Sequence, residues 1–509
     1  WDKDDCEDLG IIKIDILGLG MMNAMQDALE LCRRRGHPVD LATIPKEDPA
    51  TYDLICRADT VGLFQIESRA QLATIPRMQP RCFYDLAVQV GIVRPGPIVG
   101  DLKNPYLRRR CGEEPVTYAH PALEPVLERT LGVCMFQEQV LQVSMILADF
   151  SPTEADELRK SLGFTRSDER LDRVLALMDK RMEAKGIDLA VRDWAVKAAA
   201  SFQLYGFPES HALSFALIAY GSAYLKAHYP VEFFTALLNA QPMGFYSPDT
   251  LIQDAKRHGV KFLPICVVES QAICSIDAAG AVRLGLNYVD GLHHARAKRI
   301  VVEREKQPFA SLTDFIHRSG VTKQQRRLLA KIGALNAFST HRRAALWESE
   351  RVLDEDDLFA RVGEGVSSPL APMNRGERLD ADYRGTGLTV GAHPMAFIRH
   401  TVPHLVTAIE LETHPNGSKV TIGGRVICCQ RPGTAKGICF ISLTDETGIS
   451  NAVVYPDLFE ERRLVVSQEP FLEIEGVLQH IDGTLSVRAS DVRALHSPVA
   501  LLRDSYDFH

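Results

Sequence analysis

Apolar residues recur along this chain with two different periods, and the change of period divides it. From Met21 to about residue 265 they return every three or four positions, as in Met25-Ala28-Leu29-Leu31, Val140-Val143-Ile146-Leu147 and Leu217-Ile218-Tyr224-Leu225. That spacing places them on one face of a helix. Past residue 396 the period falls to two. Residues 419–422, 437–443, 451–455, 471–477 and 484–487 are five strand candidates, and the turn Asp445-Glu446-Thr447-Gly448 separates two of them. Five short strands so close together predict a small closed barrel of the OB type, whose exposed aromatics and cations suit a single strand. One stretch near the start departs from both patterns. Ile11-Ile12-Lys13-Ile14-Asp15-Ile16-Leu17-Gly18-Leu19 reads as a strand with Lys13 and Asp15 on one side and Ile12, Ile14 and Ile16 on the other. Two ions in an apolar strand are either a structural pair or a metal-holding carboxylate beside a phosphate-holding lysine.

Polar groups interrupt the helical region at four places. Phe64-Gln65-Ile66-Glu67-Ser68-Arg69 alternates Gln65 and Glu67, then offers a serine able to open a helix. In Phe136-Gln137-Glu138-Gln139, Gln137 and Glu138 are expected to point inward. Leu158-Arg159-Lys160 ends a helical segment with two adjacent cations, and the basic residues from 165 to 185 look loosely patterned. Phe207-Pro208-Glu209-Ser210-His211 follows a Gly/Pro turn and delivers Ser210 and His211 to an apolar helix. The prolines of Arg94-Pro95-Gly96-Pro97 fix a tight loop. Between 355 and 384, Gly, Ser and Pro among charges read as a linker.

Composition sharpens this picture mainly through charge. The whole chain is acidic, at a net −8, so any surface for nucleic acid must be local. From His293 to Arg343 there are twelve Lys and Arg against three acids, a local excess of nine. The cations include Arg296, Lys298, Arg299, Lys323, Arg326, Arg327 and Lys331. Their segment has Gly-centred turns at Asp290-Gly291-Leu292-His293 and Ile332-Gly333-Ala334-Leu335, which suit close approach of backbone amides to phosphate. In the barrel the candidates for DNA are Arg425, Lys436, Phe440 and Tyr455. Eleven cysteines show no C-x-x-C pair and no zinc-ligand spacing, which points to a reduced, cytoplasmic protein. The apolar run at residues 212–225 is too short to span a bilayer, so no membrane is expected as a partner.

Seven stretches, taken in order, resemble the bacterial C-family DNA polymerases of the DNA polymerase III alpha-subunit type. They are Lys13-Ile14-Asp15-Ile16-Leu17-Gly18-Leu19, Phe64-Gln65-Ile66-Glu67-Ser68-Arg69, Arg94-Pro95-Gly96-Pro97, Gln137-Glu138-Gln139, Leu158-Arg159-Lys160, Gly206-Phe207 through Ser210-His211, and Leu225-Lys226-Ala227-His228-Tyr229-Pro230. Within the family the similarity is greater to the error-prone, damage-response branch, through the entry Trp1-Asp2-Lys3-Asp4-Asp5-Cys6 and the ending Tyr506-Asp507-Phe508-His509 soon after the barrel. The resemblance implies a multi-domain α+β protein. Its parts would be the end of a palm (residues 1–25), large and mostly helical fingers (26–265), a helix-hairpin-helix region (266–365), a linker (366–395), and an OB-type β-barrel with its tail (396–509).

It also implies roles. Asp15 would be one of three palm carboxylates that hold two Mg2+ ions, with Lys13 facing the triphosphate. Arg159, Lys160, Ser210 and His211 would bind the incoming nucleotide. The partners implied are primer-template DNA, deoxynucleoside triphosphates, single-stranded DNA at the barrel, accessory mutagenesis proteins and, indirectly, the sliding clamp. The other two palm carboxylates are not among these 509 residues, so the resemblance predicts that this chain alone does not extend a primer. Lys160 departs from a frequent second arginine, trading a bidentate fork for a point charge. The Asp290–His293 turn lacks the second glycine of a regular hairpin, and residues 355–384 contain no glutamine-led hydrophobic peptide of the clamp-binding type. The rival readings are a replicative alpha subunit and, for these residues alone, a non-catalytic DNA-binding module.

Overall fold

The computed structural model describes residues 3–12, 14, 16–92, 103–162, 168–202, 207–244, 246–352, 368–431, 437–481 and 484–496. The chain forms two compact units, Trp1–Met22 with Asp40–Ala227, and Asn23–Val39 with His228–His509.

The first unit is helical among its described residues, and polar capping residues set where its helices begin. Ser68 accepts from the backbone N–H of Gln71 and opens α1, Arg69–Met78. In α2, Gln137–Ala148, the inward residue is Gln139. Its Oε1 accepts from Met135 N (2.8 Å) and Phe136 N (3.0 Å), and its amide donates to Thr130 Oγ1 (2.8 Å). Gln137 and Glu138, expected to point inward, are only half-buried, because the first helical turn presents its third residue back toward the cap. Ser151 and Glu154 exchange bonds across the start of α3, Pro152–Leu162. The stretch that looked loosely patterned is α4, Asp168–Ala184. Leu171, Leu175, Met178 and Met182 are spaced by four, three and four, and all are buried in one core with Leu158, Leu162 and Phe202. Arginines between those apolar positions obscured the period. The last long helix of this unit is α5, Glu209–His228.

The second unit joins short helices to a barrel. Ser247 caps α6, Pro248–Arg257. Then come α7, His294–Lys306, α8, Leu312–Ser319, α9, Lys323–Lys331, and α10, Arg342–Arg351. Residues 375–386, expected within a linker, instead form α11, Arg375–Thr386. Asn374 and Glu377 make a reciprocal capping box, and Leu379 and Tyr383, one turn apart, are buried together. The Gly and charge content had hidden an amphipathic turn.

The barrel is closed, with strand order β1-β2-β3-β5-β4. The strands are β1, Lys419–Gln430, β2, Cys439–Thr444, β3, Ile449–Val454, β4, Phe471–Ile481, and β5, Thr484–Ala494. All neighbours are antiparallel except β3 and β5, which pair in parallel through Ala452↔Val487 and Val453↔Arg488. Inward positions alternate along β3, and Val420, Ile422, Ile441, Leu443, Ile474 and Leu478 fill the interior. Burial of each such side chain is worth about 1.5–3 kcal/mol. Gly476 lies where β4 approaches β5 so closely that a Cβ would sit 2.2 Å from the Arg488 carbonyl oxygen. Only glycine fits there. The expected strands thus all form, most of them longer than expected.

The opening stretch does not form the expected strand among its described residues. Ile12, Ile14 and Ile16 are 85%, 76% and 71% exposed. A strand needs a neighbour for its backbone groups, and the described residues set none beside it. Lys13 and Asp15 lie outside the described residues. So do the Arg94–Pro97 loop and Lys436.

Candidate nucleotide and nucleic-acid sites

In the first unit the structure brings three of the quoted stretches together. Gly18, at φ +88°, presents bare backbone to Phe64; a Cβ there would come within 3.1 Å of that ring and 3.9 Å of Ile218. Phe64 packs edge-on against Phe215 at 5.1 Å, and Phe215 lies 4.0 Å from the His211 ring. Phe207 closes the row on the other side of His211, at 5.3 Å. A line of aromatic rings therefore runs from the residue three places after Asp15 to the start of α5. Ser210 is exposed in the first turn of α5, and His211 is half-buried between its two phenylalanines.

The start of α5 is held by residues to which the sequence had assigned no role. Glu138 Oε2 accepts from the Glu209 backbone N–H at 2.8 Å, placing a carboxylate at a helix N-terminus, where the helix dipole favours it. Tyr84 donates its hydroxyl to Glu209 Oε1 at 2.8 Å, and Arg129 stacks over the Tyr84 ring at 4.3 Å. Burial, then the Glu209 bond, push the Tyr84 hydroxyl pKa up. The Phe64 loop is held from beneath. Lys226, fully buried, donates to Asp59 O (3.1 Å), Asp59 Oδ1 (2.9 Å) and Val61 O (3.0 Å). Glu67 accepts from Gly62 N at 3.0 Å, and Thr60 Oγ1 donates to Ile66 O at 2.7 Å. The sequence marked Lys226 only as a lone lysine closing an apolar helical run and as part of the quoted stretch Leu225–Pro230, with no role assigned.

Arg159 and Lys160 sit on the exposed side of α3. Each pairs with Asp156, at 2.8 and 2.9 Å, and their side chains are 48% and 52% exposed. The two cations hold the Asp156 carboxyl below the usual carboxylate range, Lys160 more than Arg159.

In the second unit the excess of cations proves to be partly spent. Arg304 donates to Val267 O and Ser270 O at 3.1 and 2.8 Å. Arg318 donates to Gln307 O at 2.7 Å and lies over Phe309. Arg296 and Arg299 reach Ser319 O (3.2 Å) and Arg318 O (3.3 Å), and Arg326 reaches Val352 O (3.2 Å). Glu350 draws both Arg327, bidentate at 2.5 and 2.8 Å, and Lys323 at 3.5 Å. Arg327, chiefly, holds the Glu350 carboxyl at about 2. Lys298 and Lys331 are exposed and make no ion pair among the described residues. Gly291, at φ +66°, turns the chain before α7, and the Gln325 side chain of α9 donates to its carbonyl at 3.0 Å.

In the barrel, Tyr455 is 47% exposed and Phe440 half-buried. Arg425 corrects an expectation. It is buried within β1, its Nη1 2.6 Å from Asp249 Oδ2 and its guanidinium 5.0 Å from the Tyr383 ring. Asp249 also accepts from Tyr383 OH (2.9 Å) and Thr389 N (3.2 Å). Arg425 falls on the face of β1 opposite Val420 and Ile422, outside the barrel interior but covered by Asp249 and Tyr383, and a charge buried there must find a partner instead of a solvated phosphate. Nothing local in the sequence pairs residues 176 positions apart.

Comparison with known proteins matches three segments of the chain. The bacterial DNA polymerase III alpha subunit finger domain matches residues 21–186, a helix-hairpin-helix motif matches 259–345, and an OB-fold nucleic acid binding domain matches 420–495. An error-prone DNA polymerase of Bordetella bronchiseptica is 46% identical over 493 residues, which is 95% of this chain and 47% of the relative. The chain is similar to error-prone DNA polymerases. One from Dechloromonas aromatica is 45% identical over 94% of the chain, and one from Pseudomonas aeruginosa is 43% identical over all of it. The chain spans about half the length of the curated relatives it matches. The expected fold class and the expected resemblance to the error-prone branch are both borne out. No helix among the described residues is long and apolar enough to cross a membrane.

Proposed function

We propose that the protein is an error-prone DNA-directed DNA polymerase, working in the cytoplasm in translesion synthesis during the response to DNA damage. The observation that supports this best is similarity to error-prone DNA polymerases across nearly all of the chain, joined with the row Gly18–Phe64–Phe215–His211. In this reading the primer 3′-hydroxyl attacks the α-phosphate of an incoming deoxynucleotide in line, and pyrophosphate leaves. Asp15 supplies a hard carboxylate oxygen, the donor type that Mg2+ takes. Two Mg2+ ions, when bound, lower the hydroxyl's pKa and stabilise the developing charge.

The chain's own groups do the rest. Lys13, Arg159 and Lys160 hold the triphosphate, the last two by exchanging Asp156 for phosphate oxygens. Ser210 and His211 contact the nucleotide from the start of α5. Lys298, Arg299 and Lys331 meet duplex phosphates, while Arg296, Arg326, Arg327 and Lys323 add to the local field. Tyr455 and Phe440, with Lys436, stack on and steady a single strand. The proposed division is palm end 1–25, fingers 26–265, helix-hairpin-helix region 266–365 and barrel 396–509. Accessory mutagenesis proteins, and through them the sliding clamp, would complete the assembly.

The test is primer extension. The polymerase at the length of its relatives should extend a primer with Mg2+, and Asp15→Asn in that protein should abolish extension. The 509 residues alone should bind primer-template without extending it. Robust extension by these residues alone would overturn the assignment of further essential carboxylates to the whole protein.

A further inference from the structure

Burying an ammonium group costs several kcal/mol unless its donors are met. Lys226 is nonetheless fully buried, in the last turn of α5, and donates three times to a single short segment, at Asp59 and Val61. An ammonium has three donors, and three oxygens of this one segment lie within reach of them. The segment they hold does not take an ordinary path. Ala58, Gly62 and Gln65 all have positive φ, at +56°, +77° and +60°, and for alanine and glutamine that backbone is unfavourable. Surrounding contacts must impose it. Beyond Lys226 these are the Thr60–Ile66 and Gly62–Glu67 bonds and the buried side chains of Leu63 and Ile66. The product of this path is the placement of Phe64, with one side of its ring on Gly18 and an edge on Phe215.

We propose that Lys226 is a positioning residue for the polymerase reaction. Through residues 59–67 it sets Phe64 as a brace against Gly18, which lies three residues along the chain from Asp15. The proposal rests on the polymerase reading of Asp15. Lys226 itself touches neither nucleotide nor DNA; its charge acts by fixing the brace. Gly18 belongs to the same mechanism, since its missing Cβ lets the ring approach and its φ of +88° suits glycine.

Lys226→Met, Lys226→Arg and Phe64→Leu test this in two settings. In the 509-residue chain, amide hydrogen exchange over residues 16–22 should quicken by about tenfold in Lys226→Met and in Phe64→Leu, because a brace that opens locally exposes what it held. In the whole polymerase, Lys226→Met should lower kcat on the order of 100-fold, the cost of misplacing a reacting group by about 1 Å. Nucleotide KM and primer-template affinity should stay near wild type. Lys226→Arg, which keeps charge and donors, should recover most of the rate. Phe64→Leu leaves Lys226 in place, so it tests the brace even if Lys226→Met fails to fold. Unchanged exchange at 16–22 in Phe64→Leu would overturn the proposal, as would a rate loss in Lys226→Met that merely follows its folded fraction. A wild-type polymerase that extends no primer would instead overturn the functional reading, and the exchange measurement would still decide whether the brace exists.

Discussion

Cations of the finger helices and cations of the C-terminal unit look alike in sequence and are used in opposite ways. Arg159 and Lys160 share one carboxylate, Asp156, on their own helix and among the described residues have no buried acceptor to give up. Exposed pairs of this kind contribute little, so phosphate oxygens can replace Asp156 at small cost. Arg304, Arg318 and Arg342 instead donate to backbone carbonyls between elements, and Arg425 is enclosed with Asp249 and Tyr383. Those charges hold the fold. The count of cations in a segment gives its long-range field, whereas the acceptors around each one decide whether it can let go.

The largest effect should come from breaking the enclosed pair. Arg425→Met leaves Asp249 buried without its counter-ion and should cost about 3–5 kcal/mol, read as an earlier urea transition of the C-terminal unit. Asp249→Leu with Arg425→Met should recover much of that, because the stranded charge is gone. An Arg425→Met protein with wild-type stability but weakened DNA binding would return Arg425 to the DNA surface and erase the contrast.

Arg159→Ala and Lys160→Ala should leave stability alone and raise nucleotide KM or slow incorporation about 10- to 100-fold in the whole polymerase, the worth of charge-assisted bonds to phosphate. Primer-template affinity should hardly change. Steady-state kinetics beside a DNA titration separates the two, and unchanged nucleotide kinetics in both variants would refute their assignment.

The smallest effects sharpen the comparison inside the C-terminal unit. Lys298→Ala and Lys331→Ala should each lower the salt slope of duplex binding by about 1. Arg327→Ala should lower it less, since Glu350 already offsets that charge. Tyr455→Ala should weaken single-strand binding by about 1–3 kcal/mol with little change of slope, as expected of a stacked base. Equal slopes for all of them, and no strand preference at Tyr455, would mean that helices and barrel do not divide the work.

The elements whose signals are local were legible in the chain itself. Ser68 opens a helix because its oxygen meets an amide three residues on, and β3 alternates because a strand has period two. The seven quoted stretches likewise carry the family resemblance in their order along the chain. Other features needed the folded structure. A helix lay hidden at Asp168–Ala184, where arginines interrupt an apolar face that only its buried side reveals. Ile12, Ile14 and Ile16 read as a strand, but a strand exists only with a neighbour to take its hydrogen bonds, which no single segment can specify. Lys226 and Arg425 are one charge each in sequence, and neither shows there whether water, a carbonyl or a carboxylate will surround it. Tertiary contacts 167 and 176 residues away settle that, because the cost of burying an ion depends wholly on the partners brought to it.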